Sequence, residues 1–141
     1  MSFLLDTNIV SEWVKPQPNE GVVAWLADVD EDRVLISVIT LAELRHGIER
    51  MDHGSHRTRL EGWLRHELPA RFEGRILSID DAVADTWGTV VARHEELGRP
   101  IEPMDAFIAA TARAHGLTLV TRNVSDFTSS VENIVDPWTG R

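Results

Sequence analysis

The chain has 141 residues and a mass of 15.8 kDa, so we expect one compact domain, over residues 1–141, that buries its own core. It contains no cysteine, which excludes disulfides, thiolate zinc sites and cysteine nucleophiles. Its formal net charge is -9, so a nucleic-acid backbone can bind only through a local basic region or through bound cations. The sequence shows no signal-peptide pattern and no apolar run of bilayer length, and we therefore expect a cytoplasmic protein without membrane contact.

The first half of the chain alternates strand and helix patterns. Short apolar runs predict strands at Phe3–Leu5 and Val34–Ser37. Helical patterns are expected at residues 8–14, 19–29 and 40–50, and over a polar segment that ends at Pro69. The second half continues the alternation, with strands predicted at residues 75–79, 117–121 and 134–135, and with helices from Asp80 to Gly98 and from Pro103 to His115.

This alternation predicts an α/β fold. Because the strand sequences are continuously apolar, we expect a central parallel β-sheet of four to five strands with helices on both faces. In such sheets the chemistry gathers beyond the carboxyl ends of the strands.

Four acidic residues are predicted at that edge. Asp6 follows the first strand, Glu43 lies in the first turns after the second, Asp105 begins the PMDAFIAATARA helix, and Asp126 follows the fourth strand. Each also fits a structural role: Asp6 and Asp105 as helix caps, Glu43 in a capping box with Thr40, and Asp126 as a turn residue.

The four acids together favour a metal site. Like charges that lie close together raise one another's pKa, so the cluster is destabilising without a cation. Carboxylate oxygens are hard ligands that select Mg²⁺ or Mn²⁺ over Zn²⁺. Because such a site can place a water for attack on a phosphodiester, we predict metal-dependent hydrolysis, and the chemistry alone does not separate RNA from DNA.

Short polar residues near the same edge are candidates for orienting an acid or a water: Thr7, Asn8, Ser37 and Thr121. They fit equally well as ordinary polar residues at strand ends. Arg122 is a candidate for an RNA phosphate contact, although a surface ion pair is the more common role of a single arginine. Residues 45–75 are rich in arginine and histidine, but the acids among them favour solvated helix faces and leave RNA contact there open.

Three motifs carry a family resemblance. LLDTNIVSE, SVITLAELRHGIER and PMDAFIAATARAHGLTLVTRNVSDF, in this order and spacing, resemble the PIN-domain ribonucleases, specifically the VapC/FitB-type toxins of toxin-antitoxin pairs. RILSID and DPWTG are similar to the FitB-like branch. The resemblance implies a single PIN domain over residues 1–141, Mg²⁺ or Mn²⁺ as the cofactor, and cleavage of structured RNA to leave a 5′-phosphate and a 3′-hydroxyl.

The resemblance also implies roles for residues. The family's acids fall on Asp6 and Asp105 as the most direct metal ligands, on Glu43 as a ligand that acts directly or through water, and on Asp126 as support for a second ion or the attacking water. Thr121 resembles the family's hydroxyl beside the site. Glu102 adds a further charge near its mouth.

The implied partners are a cognate antitoxin, whose C-terminal segment covers the acidic cleft, an RNA substrate and a second copy of the chain in a homodimer. Operator DNA is expected to bind only through the antitoxin. Trp13, Trp25 and Trp63 are candidate anchors for the antitoxin, with core packing as an equally weighted alternative.

Other classes of function fit less well. A receiver-type domain needs a lysine near the site, and the only lysine is Lys15; a haloacid-dehalogenase phosphatase needs a second acid where Asn8 stands. A non-catalytic half of a toxin-antitoxin complex that represses its own operator stays open as an alternative. A PIN-like DNA nuclease of the flap type is disfavoured because the chain lacks a long basic arch.

Overall fold

Five short strands form one parallel sheet at the centre of the molecule. The structure is a computed structural model and describes residues 1–140. The strands are β1 (Phe3–Leu5), β2 (Val34–Ser37), β3 (Ile76–Leu77), β4 (Thr118–Val120) and β5 (Ile134–Val135), in the order β3-β2-β1-β4-β5. All neighbouring pairs are parallel, so all five carboxyl ends lie along the same edge of the sheet.

Eight helices connect and cover the strands in the part of the chain that the structure describes. They are α1 (Thr7–Glu12), α2 (Glu20–Asp28), α3 (Val38–Glu49), α4 (Ser55–Gly62), α5 (Leu68–Arg71), α6 (Asp81–Glu96), α7 (Pro103–His115) and α8 (Val124–Phe127). A 3-10 turn, Glu31–Arg33, precedes β2, and a π-helical segment, Trp63–Glu67, joins α4 to α5. Within these residues no helix is long and apolar enough to cross a bilayer.

The two faces of the sheet bury separate cores. Leu4 and Leu5 are both fully buried and, as neighbours on β1, point to opposite faces. Leu4 packs in a cluster with residues of α6 and α7, whereas Leu5 packs in a cluster with residues of α1, α2 and α5. The predicted α/β fold, with a parallel sheet covered by helices on both faces, is confirmed.

Two predictions about helix ends are wrong. The third helix is predicted to begin at Thr40, with a capping box as the structural alternative for Glu43, but α3 begins at Val38, and the Ser37 hydroxyl caps it by accepting a hydrogen bond from the amide of Ile39 at 3.0 Å. We expected the polar helix to end at Pro69. The chain instead stays helical through Arg71, and α5, which contains Pro69, follows directly after the π-helical segment Trp63–Glu67.

Other boundaries shift by a few residues. The third strand is confined to Ile76–Leu77 instead of residues 75–79, and the first helix runs from Thr7 to Glu12 instead of 8–14. Helix α7 has the predicted bounds. It ends at Gly116, whose φ of 63° is the left-handed conformation that glycine adopts without strain.

Several arginines of the central segment are neutralised by acids. Arg57 contacts both Glu49 (2.7 Å) and Glu61 (2.9 Å), Arg45 contacts Glu49 at 2.7 Å, and Arg71 contacts Glu31 at 2.6 Å. These ion pairs favour the interpretation of this region as solvated helix faces.

Candidate active site

Asp6 lies directly after β1, where its carboxylate caps α1. It is only 4% exposed. One carboxylate oxygen accepts a hydrogen bond from the Thr7 amide at 2.8 Å, and the other accepts bonds from the Thr121 hydroxyl at 2.8 Å and the Asn8 amide group at 3.4 Å. Burial raises the pKa of Asp6, although the bonds from Thr121 and Thr7 oppose this rise.

Glu43 is positioned by a hydroxyl that comes from another helix. It lies in the second turn of α3, where it is half-buried, and its carboxylate accepts a hydrogen bond from Thr7 Oγ1 at 2.7 Å. Thr7 Oγ1 also lies 3.1 Å from Thr40 Oγ1. Because the single hydroxyl proton of Thr7 is donated to Glu43, Thr40 donates to Thr7. The carboxylate therefore points toward α1, away from the amides at the start of its own helix.

Asp105 lies in the first turn of α7, and its pKa is raised strongly. Burial is the first cause that raises its pKa, to about 6, and the negative charges of Asp6, Glu43 and Asp126 add to the rise in that order. Glu102 makes a smaller contribution from the N-cap of the same helix. Asp105 thus follows the capping position and does not occupy it.

Asp126 completes the group from the other end of the chain. It lies in the short helix α8, is exposed, and helps to raise the pKa of both Asp6 and Asp105. Asp126 and Asp105 line the same cavity, which has a volume of about 550 Å³. Residues far apart in the chain therefore meet at the carboxyl edge of the sheet, on both sides of β1.

The donor set suits a hard divalent cation. The four groups are carboxylates, and the pKa of Asp105 is raised by burial first and then by repulsion from the neighbouring acids, which a cation would relieve. Within residues 1–140, no three acidic or histidine side chains are grouped closely enough to ligate one ion directly. Mg²⁺ is compatible with that arrangement, because it usually keeps several waters and takes only one or two protein carboxylates, with substrate phosphates as further ligands.

Comparison with known proteins identifies the family. The PIN domain model matches residues 3–128. This chain belongs to the PIN-domain family, in its VapC/FitB branch. It is 39% identical to Toxin FitB of Neisseria gonorrhoeae over 96% of this chain and 97% of that protein, and 36% identical to VapC ribonuclease Y4jK of Sinorhizobium fredii over 96% of each. The solved structure of FitAB bound to an IR36 DNA fragment superposes with a TM-score of 0.90 at 37% identity, and covers 96% of this chain and 95% of that one.

The polar residues expected around the PIN-domain acids have different roles. Thr7 and Thr121 bind the carboxylates directly, as described above. Asn8 joins them by donating to Thr121 Oγ1 at 3.4 Å and accepting from the amide of Arg122 at 3.3 Å. Ser37 caps α3 and contacts no acid of the site in the described residues. Thr121 also accepts a hydrogen bond from the amide of Asn123 at 3.0 Å, which ties the end of β4 to Asp6.

Arg122 contacts an aromatic ring instead of forming the surface ion pair that a single arginine commonly makes, and its contact with an RNA phosphate stays a prediction. Its guanidinium lies over the ring of Trp138, 5.3 Å from the centroid, which is cation–π geometry. It forms no ion pair within residues 1–140.

Thr40, which was not among the predicted site residues, contacts the hydroxyl of Thr7 that holds Glu43. Thr40 is fully buried one helical turn before Glu43, so the two side chains share a face of α3. The spacing of three residues was therefore visible in the sequence, but it suggested a capping box because Thr and Glu are also the residues of that motif.

The candidate anchors Trp13, Trp25 and Trp63 each pack partly against the core and are partly exposed to solvent. All are half-buried against the core below α1 and α2. Trp25 packs edge-on against Phe3, with the ring centroids 5.1 Å apart. Trp13 and Trp63 line a groove of about 510 Å³ on the surface, and Arg71 stacks over the Trp13 ring at 4.4 Å.

Proposed function

We propose that this chain is a metal-dependent endoribonuclease toxin of a type II toxin-antitoxin pair, which hydrolyses RNA phosphodiester bonds with Mg²⁺ or Mn²⁺ bound by carboxylates. The proposal rests on one observation above all: at the carboxyl edge of the sheet, burial and the nearby negative charges of Asp6, Glu43 and Asp126 raise the pKa of Asp105 to about 6. The similarity to a protein named VapC ribonuclease supports RNA as the substrate.

In this proposal Asp6 and Asp105 hold the metal ion, Glu43 binds it directly or through a water, and Asp126 supports a second ion or the attacking water. The ion would activate water and neutralise charge on the phosphate oxygens. The protein's own contribution is to fix the carboxylates before substrate arrives. Thr121 and the Thr7 amide hold the two oxygens of Asp6, and the Thr7 hydroxyl holds Glu43.

The proposed partner is a cognate antitoxin whose C-terminal segment lies over the acidic cleft. The groove lined by Trp13 and Trp63 suits an apolar side chain of such a partner, because a few residues, often tryptophans, contribute most of the binding energy at protein interfaces. We also propose a homodimer in the cytoplasm, where RNA is available, and contact with operator DNA only through the antitoxin. The similarity to the structure of FitAB bound to an IR36 DNA fragment supports the contact of such a complex with DNA.

The antitoxin proposal predicts a stable complex with the product of a short neighbouring open reading frame that encodes a DNA-binding protein. Trp63→Ala should weaken this complex by roughly tenfold or more, the scale of an aromatic anchor at an interface. Size-exclusion chromatography and titration calorimetry on the co-expressed pair measure the effect. Val23→Ala, an exposed apolar residue outside the groove, is the matched control. Equal affinity of both variants would contradict the role of the groove.

The enzymatic proposal predicts cleavage of RNA that requires a divalent ion. Purified protein without antitoxin should cleave structured RNA in Mg²⁺ or Mn²⁺, leave 5′-phosphate ends, and lose activity when EDTA removes the ion. End-labelled fragments on sequencing gels reveal both the ends and the cleavage sites. Cleavage of DNA in preference to RNA would favour a DNA nuclease, and cleavage of neither would favour a non-catalytic partner in operator repression.

A further inference from the structure

The cavity beside Asp105 and Asp126 extends beyond the acids. Its other walls are the turn 99–102, which follows α6, and two serines from the segment around α8, Ser125 and Ser129. The buried residue His94 also lines the cavity. The volume of about 550 Å³ is within the range of small-molecule binding pockets. The cavity is therefore larger than a metal site requires.

The walls offer the groups that recognise a nucleotide. Pro100 and Ile101 present apolar surface for the face of a base, and the two serine hydroxyls can donate or accept hydrogen bonds at its edge. Arg99 adds a cation that suits a phosphate. Proteins that read RNA bind unstacked bases in this way, through contact with the base face and hydrogen bonds to its edges.

A buried histidine joins the two walls. His94 is 4% exposed, and its Nδ1 lies 2.9 Å from the carbonyl oxygen of Arg99, to which it must donate. Its Nε2 lies 3.0 Å from the hydroxyl of Ser130, which follows directly after the wall residue Ser129. The Arg99 amide in turn donates to the carbonyl oxygen of His94 at 2.9 Å. One imidazole thus sets the distance between the turn 99–102 and the segment that carries Asp126.

We propose that this cavity binds one nucleotide of the RNA substrate, next to the phosphodiester that is cleaved, and that His94 is the positioning residue that holds its two walls apart at the required distance. The inference rests on the proposed ribonuclease function and adds to it the place where the RNA is read. His94 is too buried to take part in the chemistry and acts through the walls.

A cavity-filling substitution tests the binding site. Ser125→Trp places a large side chain at an exposed wall position, and Thr128→Trp places the same bulk on the same segment outside the cavity. The probe is a library of RNA hairpins with randomised loops, in Mn²⁺. We expect Ser125→Trp to raise KM by about tenfold or more, because the loss of a contact worth about 1.4 kcal/mol corresponds to a factor of ten. The value of kcat should change much less, and the RNA sequences that are cleaved should change. Unchanged KM and cleavage sites would overturn the proposal.

Substitutions of His94 test the positioning role. His94→Leu removes both bonds, His94→Asn can retain the bond to Arg99, and His94→Gln can retain the bond to Ser130. We expect a rise in KM and a broader set of cleavage sites in the leucine variant, with partial rescue in the asparagine and glutamine variants. A parallel loss of kcat in all three, without any change in cleavage sites, would reduce His94 to a stabilising residue. His115→Leu, at the exposed end of α7, is the control.

The two proposals fail in distinguishable ways. If the unsubstituted protein does not cleave the hairpin library, the ribonuclease function fails and the nucleotide pocket fails with it. If the unsubstituted protein cleaves, but Ser125→Trp and His94→Leu retain its KM and its cleavage sites, only the pocket is refuted.

Discussion

Asp6→Asn and Asp105→Asn should each reduce RNA cleavage by about a hundredfold or more, because the charge stabilisation that a metal ion supplies is worth several kcal/mol. The amide keeps the volume of the carboxylate but loses its negative charge. At Asp6 it also keeps an oxygen that can accept the bond from the Thr7 amide. The expected loss is therefore in the chemical step and not in the fold. Initial rates on a labelled RNA, with far-ultraviolet circular dichroism of each variant, measure the two effects separately.

Asp28→Asn provides the matched control. Asp28 is an exposed acid at the end of α2 and lines none of the walls around the candidate site. This variant should cleave at the rate of the unsubstituted protein. Full activity in Asp6→Asn or Asp105→Asn would refute the assignment of the metal-binding acids, even if the protein proved to be a ribonuclease.

Mg²⁺ should raise the melting temperature at pH 8 by roughly 5 to 10 °C at saturating concentration, since an ion at a hundred times its Kd stabilises the native state by about 2.7 kcal/mol. At pH 5 the increase should be much smaller. The pKa of Asp105 in the folded protein is raised to about 6, so at pH 5 this group is largely protonated and cannot serve as an anionic ligand. Thermal melting monitored by circular dichroism or calorimetry at both pH values tests the prediction.

The metal-free protein should show the opposite trend with pH. Because the folded pKa of Asp105 lies above the unfolded value, the folded state binds more protons between the two, and the free energy of unfolding falls as pH rises toward about 6. Asp105→Asn should reduce this slope, to which Asp6 also contributes because burial raises its pKa, and should remove most of the Mg²⁺ effect. A melting temperature that is indifferent to Mg²⁺ and Mn²⁺ at pH 8 would count against the metal site.

Much of the fold and the location of the acids could be predicted, because both depend on local rules that act along the chain. Continuous apolar runs indicate strands buried on both faces, and in a parallel sheet the residues that follow such strands must share an edge. Asp6 and Asp126 are therefore predicted at the same edge, although 120 positions separate them. Pro103 indicates the start of α7, and this start predicts that Asp105 lies in the first turn of the helix.

The predictions from sequence fail where contacts between distant parts of the chain determine which hydrogen bonds a side chain makes. Glu43 could bond to the amides at the start of its own helix or to a hydroxyl from another helix, and only the packing of α1 against α3 selects Thr7. The bond between His94 and Ser130 joins residues 36 apart in the chain and follows no periodicity. The sequence of α6 therefore does not indicate that His94 binds Ser130.

The sheet order has a consequence for synthesis on the ribosome. The central strand β1 is made first, but β4, its neighbour on one side, is made only after residue 118. Asp126 and the Thr121 hydroxyl that holds Asp6 come later still. A nascent chain that has not yet reached residue 126 therefore lacks one half of the acidic cleft.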